Sequence, residues 1–511
     1  MKRIIAILLC CAVGFGLFGC GRNTDSYTPT GDGLTWDEDY TGEATRATVD
    51  GSEQEVTLIY YPDKTMNPYS CMDFTNRALF SLLYQSLFAV DRSYNIEPVL
   101  CKTYAYSEDM KTWTFTMENA TFSDGSVLTA ADVAASLNAA MESDYYTGRF
   151  THINSVEESG GAVVISLDTP YEDLPLLLDI PIVRQSDVDN DRPLGTGPYV
   201  LDPAGVLRRR TDWWCRAEMT VTATSISLLT AQDNAQIRDS FEFANLSLVC
   251  ADPCSDKYAD YRCDYELWDI ENNIFLYLSC NMGSTVFSNP EVRAALTGVV
   301  DRDAIVADYY RGFARSASLP ASPLSPYYNN TLAGKYTYDG GEKLKKAIAD
   351  AGLLGKSVIF LVNSDDSLRA RVAKVIAQEL QNCGLTVQFK AVDSSNYSYA
   401  LRINDYDLYL GQTKLSNNMD LSAFFSRSGK LSYGYLDDVA LYTMCNEALA
   451  NHGNFYTLHQ NVMNDGRLVP ILFRSYAIYA TRGLLTSLTP ARDNIFYYSL
   501  GKTMEKAYVT Q

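Results

Sequence analysis

The chain has 511 residues, 47% of them hydrophobic, and a formal net charge of −20. That length and apolar content are enough for a core larger than one ordinary domain. The acidic balance argues against a nucleic-acid partner, because phosphate backbones select basic surfaces.

In chain order, Lys2 and Arg3 precede the apolar run IIAILLCCAVGFGLF, which is too short and interrupted to span a bilayer comfortably. A charged head, an apolar middle and a small-residue cut site are the parts of a secretion signal. Leu17, Phe18, Gly19 and Cys20 resemble the lipobox of bacterial lipoproteins, in which the chain is cut before the cysteine and the sulfur receives a diacylglyceryl group. The expectation is a signal peptide over residues 1–19 and a lipid anchor at Cys20. Two acyl chains suffice for anchoring, since each buried CH₂ contributes about 0.8 kcal/mol. Residues 20–54 are polar and aperiodic and read as a flexible tether of about 30 Å end to end. No later segment reads as a transmembrane helix.

The body then alternates strands and helices. VTLIYY (56–61) reads as a strand ended by Pro62, and ALFSLLYQSLF (78–88) carries apolar residues at helical spacing. TWTFTM (112–117) alternates as a half-buried strand. Asp124 and Gly125 form a turn pair, and Thr129 with Asp132 makes an acidic capping box for a helix lined by Val133, Leu137 and Met141. GAVVISLDT (161–169) is a strand. SLRARVAKVIAQELQNCGLTVQFKAV reads as helix, stop at Gly384, then strand, and DYDLYLG (405–411) as a further strand. Such alternation points to α/β or α+β layers in more than one domain, and α/β is the class expected.

Three chemical readings are disfavoured by the sequence, with an exported hydrolase kept as the less favoured alternative because two carboxylates at catalytic spacing can come from anywhere in a chain. GLLGKSVIF (352–360) brushes the P-loop pattern, but Asp350 stands where its first glycine belongs and GKS leads into a strand. The nine cysteines of the body (71, 101, 215, 250, 254, 263, 280, 383 and 445) show no repeated spacing, and no histidine lies near Cys250, Cys254 and Cys263 to complete a zinc set. No G-x-S-x-G elbow or H-E-x-x-H helix points to an exported hydrolase.

FSDGSVLTAADVAASL (122–137) resembles the signature of family 5 extracellular solute-binding proteins, the dipeptide- and oligopeptide-binding lipoproteins, with Val127 where proline is usual. LGTGPYVL (194–201), MNPYS (66–70), FSNPEVRAALTGVVDRDAIVADYYRGFARSASLP (287–320) and NFYTLHQNVMNDGRLVPILF follow the family's order. The resemblance implies a periplasmic-binding-protein-like two-lobed fold (class II) with an extra subdomain and a ligand cleft between the lobes. Lobe I would comprise 55–70, 193–270 and 479–511, with 71–192 as its subdomain and 271–478 as lobe II. Gly195, Thr196, Gly197 and Pro198 suit a sharp passage between lobes.

It also implies capture by hinge closure and delivery to an ABC permease with its own ATPase subunits, by a monomer at the outer face of the cytoplasmic membrane. No enzyme activity, cofactor or metal is expected. Dipeptide-binding relatives hold the ligand's amino end with an aspartate in a W-x-x-D-N-x-D-P-x-x-F run. The matching run is KLSNNMDLSAFF (414–425): Asn417 replaces that aspartate, Asn418 and Asp420 match, Leu421 replaces proline, and the tryptophan is missing. Asn363 falls where relatives place an arginine for the peptide carboxylate. Ligand contacts are therefore expected from Asn417, Asn418, Asp420, Asn363, Asn67 and Tyr69, with Asp420 open between an ammonium ligand and a loop cap. Two amides in place of two charges suit peptide amides or hydroxyls. The expected cargo is a peptide or related polar oligomer; the alternative is an oligosaccharide, whose rings the 36 tyrosines could stack. Nickel is less favoured, because His152, His452 and His459 form no cluster in the sequence.

Overall fold

The computed structural model describes residues 56–496 apart from 147, 216–222, 259, 483–487, 489 and 493. The signal, tether and Cys20 expectations lie outside the described residues, as do 483–487, 489, 493 and 497–511 of the expected 479–511 segment.

Two long strands organise the rest. Tyr265–Cys280 and Leu468–Thr481 pair antiparallel over nearly their whole length. At one end Leu248–Ala251 adds to Ala477–Ala480, and its flank ties to the first strand, Val56–Ile59, through reciprocal bonds of 2.9 Å between Ser247 and Thr57. At the other end Leu408–Lys414, Ser357–Asn363 and Thr386–Val392 extend the same sheet. The long pair thus starts in one body and finishes in another. Midway its register breaks between Glu271 and Phe275, where Asn273 takes a left-handed φ of 58°. A bulge of this kind bends and twists a strand pair, which suits a hinge.

The first body carries the sheet made of Val56–Ile59, Ser225–Leu229, Val206–Arg209 and Tyr199–Leu201. Residues 71–192 add their own antiparallel sheet, in the order Cys101–Tyr106, Thr112–Met117, Ala162–Leu167 and Ile153–Ser159. The helix Ala130–Glu142 packs on it. Thr129 and Asp132 form the expected capping box, and Val133 and Leu137 are fully buried. The strand Thr112–Met117 falls where alternation placed it.

The second body is the helix–strand layer. Ser367–Asn382, capped by Asp366, runs to Gly384 (φ 100°) and the strand Thr386–Val392, as the spacing predicts. GLLGKS is the turn from the helix Glu342–Asp350 into Ser357–Asn363, with Gly352 and Gly355 both at positive φ. The expected strand at 405–411 is shifted to Leu408–Lys414, because Asp407 turns its carboxylate to the Ile359 N–H (2.7 Å) before the ladder begins.

Two expectations change. ALFSLLYQSLF is helical only over Phe80–Leu83, and Tyr84 is extended. The Leu83 carbonyl accepts from the Gly197 N–H at 2.9 Å instead of continuing a helical ladder. The GTGPY run is correspondingly a close-packing device: a Cβ on Gly195 would lie 2.1 Å from the Leu83 oxygen, and neither Gly195 nor Gly197 has a positive φ. Glycine is required there for approach of two backbones.

Candidate binding cleft

A recess on the first body lies beside its contact with the second, where Asn417 reaches the wall residue Asp179. Its wall is built on two short segments. The helix Phe74–Arg77 is capped by Asp73 and ends on a buried arginine. Arg77 donates to the carbonyls of Pro68 and Cys71 (3.0 and 2.9 Å) and to the Tyr146 hydroxyl (3.0 Å), and its guanidinium lies 3.2 Å from the centre of the Tyr145 ring. These contacts fix Tyr145 and Tyr146 edge to face at 5.1 Å. Just beyond, Gly148 (φ 90°) turns the chain so that Arg149 ion-pairs with Asp179 and sits 5.2 Å from the Tyr146 ring. Asp179 follows the turn Leu174–Leu177. Arg77, Tyr84, Gln85, Tyr146, Arg149 and Asp179 line the recess, whose space counted out to solvent is about 650 Å³.

The second body contributes the loop after the strand Leu408–Lys414. Lys414 donates to the Tyr145 hydroxyl at 3.1 Å. Asn417, almost fully buried, donates to the Leu176 carbonyl (3.0 Å) and Asp179 Oδ2 (3.1 Å) and accepts from Asn273 Nδ2 (2.9 Å). Asn273 in turn lies 2.6 Å from the Tyr94 hydroxyl. A chain of hydrogen bonds therefore runs from the hinge bulge, through Asn417, to the Arg149–Asp179 pair.

Behind the bulge is a layer of buried charge. Asp269 pairs with Arg92 (3.1 Å) and Arg315 (3.3 Å), and Glu271 accepts from Tyr94 (3.0 Å) and Ser322. Burial raises the Glu271 pKa, against the opposing pull of Ser322 and Arg315.

Two histidines close the seam further out. His152, on the first body, holds Asp168 of its own body at 3.0 Å and faces Asp420 of the second at 3.6 Å. Burial works against its charge, but the bonds and attraction from Asp420, then Asp168, raise its pKa above the ordinary range. For Asp420 burial is likewise outweighed, by His152 and Ser422, and its pKa is lowered. His452, on the second body, lies 3.0 Å from Asp173 and 3.7 Å from Glu172; its pKa is raised because these carboxylates outweigh burial. Glu172 N–H also donates to the Leu449 carbonyl at 3.0 Å.

The expected ligand residues divide. Asn417 reaches the cleft wall as a buried strut. Asn418 accepts from Ser416 (2.5 Å) within its own loop. Asp420 spends its oxygens on Ser422 (2.8 and 2.7 Å) and faces His152, the arrangement of a loop cap. Asn363 donates to the Ser394 hydroxyl (2.9 Å) and accepts from the Asp365 N–H (2.9 Å). Asn67 and Tyr69 staple the chain to the carbonyls of Val188 (2.7 Å), Asn190 (2.9 Å) and Pro181 (2.8 Å). Sequence reasoning missed Arg149 and Asp179. One signal was present: Asp179 is the single charge in the apolar run LPLLLDIPIV, where a carboxylate needs a partner.

Among the described residues no three His, Cys, Asp or Glu side chains are placed to hold a metal, and no helix is long and apolar enough to cross a membrane. Among the described residues no disulfide joins two of the body cysteines.

Comparison with known proteins places this geometry. The model of the bacterial extracellular solute-binding proteins, family 5 Middle, matches residues 95–432. The glutathione-binding protein GsiB of Salmonella typhi is 23% identical over 361 residues, covering 65% of this chain and 68% of that protein. Among solved structures, the ABC transporter substrate-binding protein CtaP of Listeria monocytogenes superposes with a TM-score of 0.72 at 18% identity, covering 89% of this chain and all of that one. The oligopeptide-binding protein AppA of Bacillus subtilis, solved with a nonapeptide, gives 0.62 at 19% identity, covering 88% of this chain and 99% of that one.

Proposed function

The chain belongs to family 5 of the bacterial extracellular solute-binding proteins, and from that premise we propose that it captures peptides, or a closely related polar oligomer, in the cleft between its two lobes and hands them to an ABC permease. The observation that carries this reading is the hydrogen-bond chain Asn273–Asn417–Asp179, which links the hinge bulge to the cleft wall across both lobes. A ligand bound at that wall has differential contacts in the closed form, which is what shifts a hinge toward closure. The named relatives bind glutathione and peptides. The work of the site is binding and release; no turnover is assigned to it. We further propose lobe boundaries near 55–70, 193–270 and 479–511 for lobe I, 71–192 for its subdomain and 271–478 for lobe II. Export as a monomer, with Cys20 as the lipid anchor, completes the proposal.

Native mass spectrometry of the protein as purified, followed by isothermal titration with peptide and oligosaccharide panels, tests it. A co-purifying peptide mass and heat from peptides are expected. Heat from oligosaccharides alone would replace the peptide assignment.

A further inference from the structure

The recess carries one contact ion pair in its wall, and the chemistry of that pair narrows the ligand. Arg149 and Asp179 touch each other, with side-chain exposures of 10% and 17%, and both line the recess. Arg77, the neighbouring guanidinium, is taken up by two carbonyls and a hydroxyl. The two amides that stand where relatives hold peptide termini do not offer charges: Asn363 is bonded to Ser394 and Asp365, and Asn417 is a strut.

A guanidinium and a carboxylate in contact are complementary to a ligand whose own carboxylate and ammonium are equally close. The termini of an extended tripeptide are roughly 10 Å apart and cannot span such a pair. The head of an α-amino acid, with both charges on one carbon, can. Resting on the peptide reading of the cleft, we propose that Arg149 and Asp179 seat a free α-amino-acid head, so that the favoured cargo is a peptide joined through a side-chain carboxyl, such as a γ-glutamyl peptide.

On entry the Arg149–Asp179 contact opens. Arg149 turns to the ligand carboxylate over the Tyr146 ring, and Asp179 turns to the ammonium. Charge stays balanced throughout, so no buried ion is left alone. Asp179 Oδ2 remains on Asn417, and Asn417 on Asn273, so occupancy is transmitted to the bulge of the crossing strands.

The test is isothermal titration of the full-length protein with γ-glutamyl dipeptides, α-glutamyl dipeptides of the same composition, and N-acetylated γ-glutamyl dipeptides. The γ-linked set is expected to bind at least tenfold more tightly than either other set. Asp179→Asn should lose about the same factor for the γ-linked set and nothing further for the acetylated one, with the thermal midpoint recorded alongside. Equal affinity for γ- and α-linked peptides, or indifference to acetylation of the unmodified protein, overturns the seat while leaving peptide binding intact. Silence toward every peptide overturns both readings. The acetylation arm decides the matter even if Asp179→Asn does not fold.

Discussion

His459 lies in the second body with no exposed surface, and neither ring nitrogen has a hydrogen-bond partner among the described residues; burial lowers its pKa to about 3. His152 and His452 lie at the seam, each within reach of a carboxylate from the opposite body, and both have raised pKa values. The same side chain is thus kept neutral in the core and favoured as a cation at the seam. The core around His459 excludes charge because neither ring nitrogen finds a partner there among the described residues. The seam holds charge because each body supplies what the other lacks, and only while the two are together. Stability and closure are therefore carried by different chemistry, and substitutions should separate them.

The largest effect belongs to the core. Phe360 is fully buried between the helix Ser367–Asn382 and the sheet. Phe360→Ala should cost about 3–5 kcal/mol of stability, the usual range for emptying such a site. Chemical denaturation reads that loss, and ligand affinity under folding conditions should stay within about twofold. A large affinity change would show that the core and the seam are not separable. Asn417→Ala comes next. It strips partners from Asn273, the Leu176 carbonyl and Asp179 at once, and each buried group left unsatisfied costs about 1–3 kcal/mol. Part of that cost is relieved by water when the lobes part, so affinity should fall about tenfold or more. The Asn273 bond lies within the second body, so the denaturation midpoint should also fall, by less than for Phe360→Ala. Small-angle scattering should show a larger open fraction.

His459→Leu sharpens the comparison from the other side. Removing a ring whose nitrogens lack partners should change neutral-pH stability by less than about 1 kcal/mol. It should also remove an acid liability. A buried histidine with a lowered pKa contributes stability above about pH 6.5, and loses it as pH falls from there toward 3. Acid titration of the variant should therefore unfold at lower pH than the parent.

How far these regions were legible follows the same division. The helix Ala130–Glu142, the strand Thr112–Met117 and the unit from Ser367 to Val392 could be read in advance, because caps, alternation and a stop glycine are local. ALFSLLYQSLF could not, since its carbonyl at Leu83 is claimed by Gly197, more than a hundred residues away. The family resemblance led to the loop holding Asn417, whose side chain is bonded to Asp179, the Leu176 carbonyl and Asn273. Arg149 and Asp179 are 30 residues apart and meet only because the turn at Gly148 and the turn Leu174–Leu177 face each other. No spacing rule anticipates such a meeting.

The smallest effect is the pH dependence of closure, and its sign distinguishes the seam from the core. Asp168 stays with His152 when the lobes part, so only the Asp420 contribution is linked to closure; His452 loses both Asp173 and Glu172. The closed form holds these two protons more tightly than the open form. Its advantage is complete below about pH 6.5 and fades as pH rises through the raised values. Asp420 acts in the other direction, supporting closure above about pH 3.9 and failing as pH drops through its lowered value. Between those limits the closed fraction seen by scattering should decline with rising pH. His152→Gln should flatten that decline. His452→Gln should flatten it less, on the order of 0.5 kcal/mol, because its ring is part exposed and screened by solvent. His459→Leu should leave the slope alone. A double variant lacking both seam histidines that keeps the full decline would assign closure to the charge layer around Asp269 and Glu271 instead.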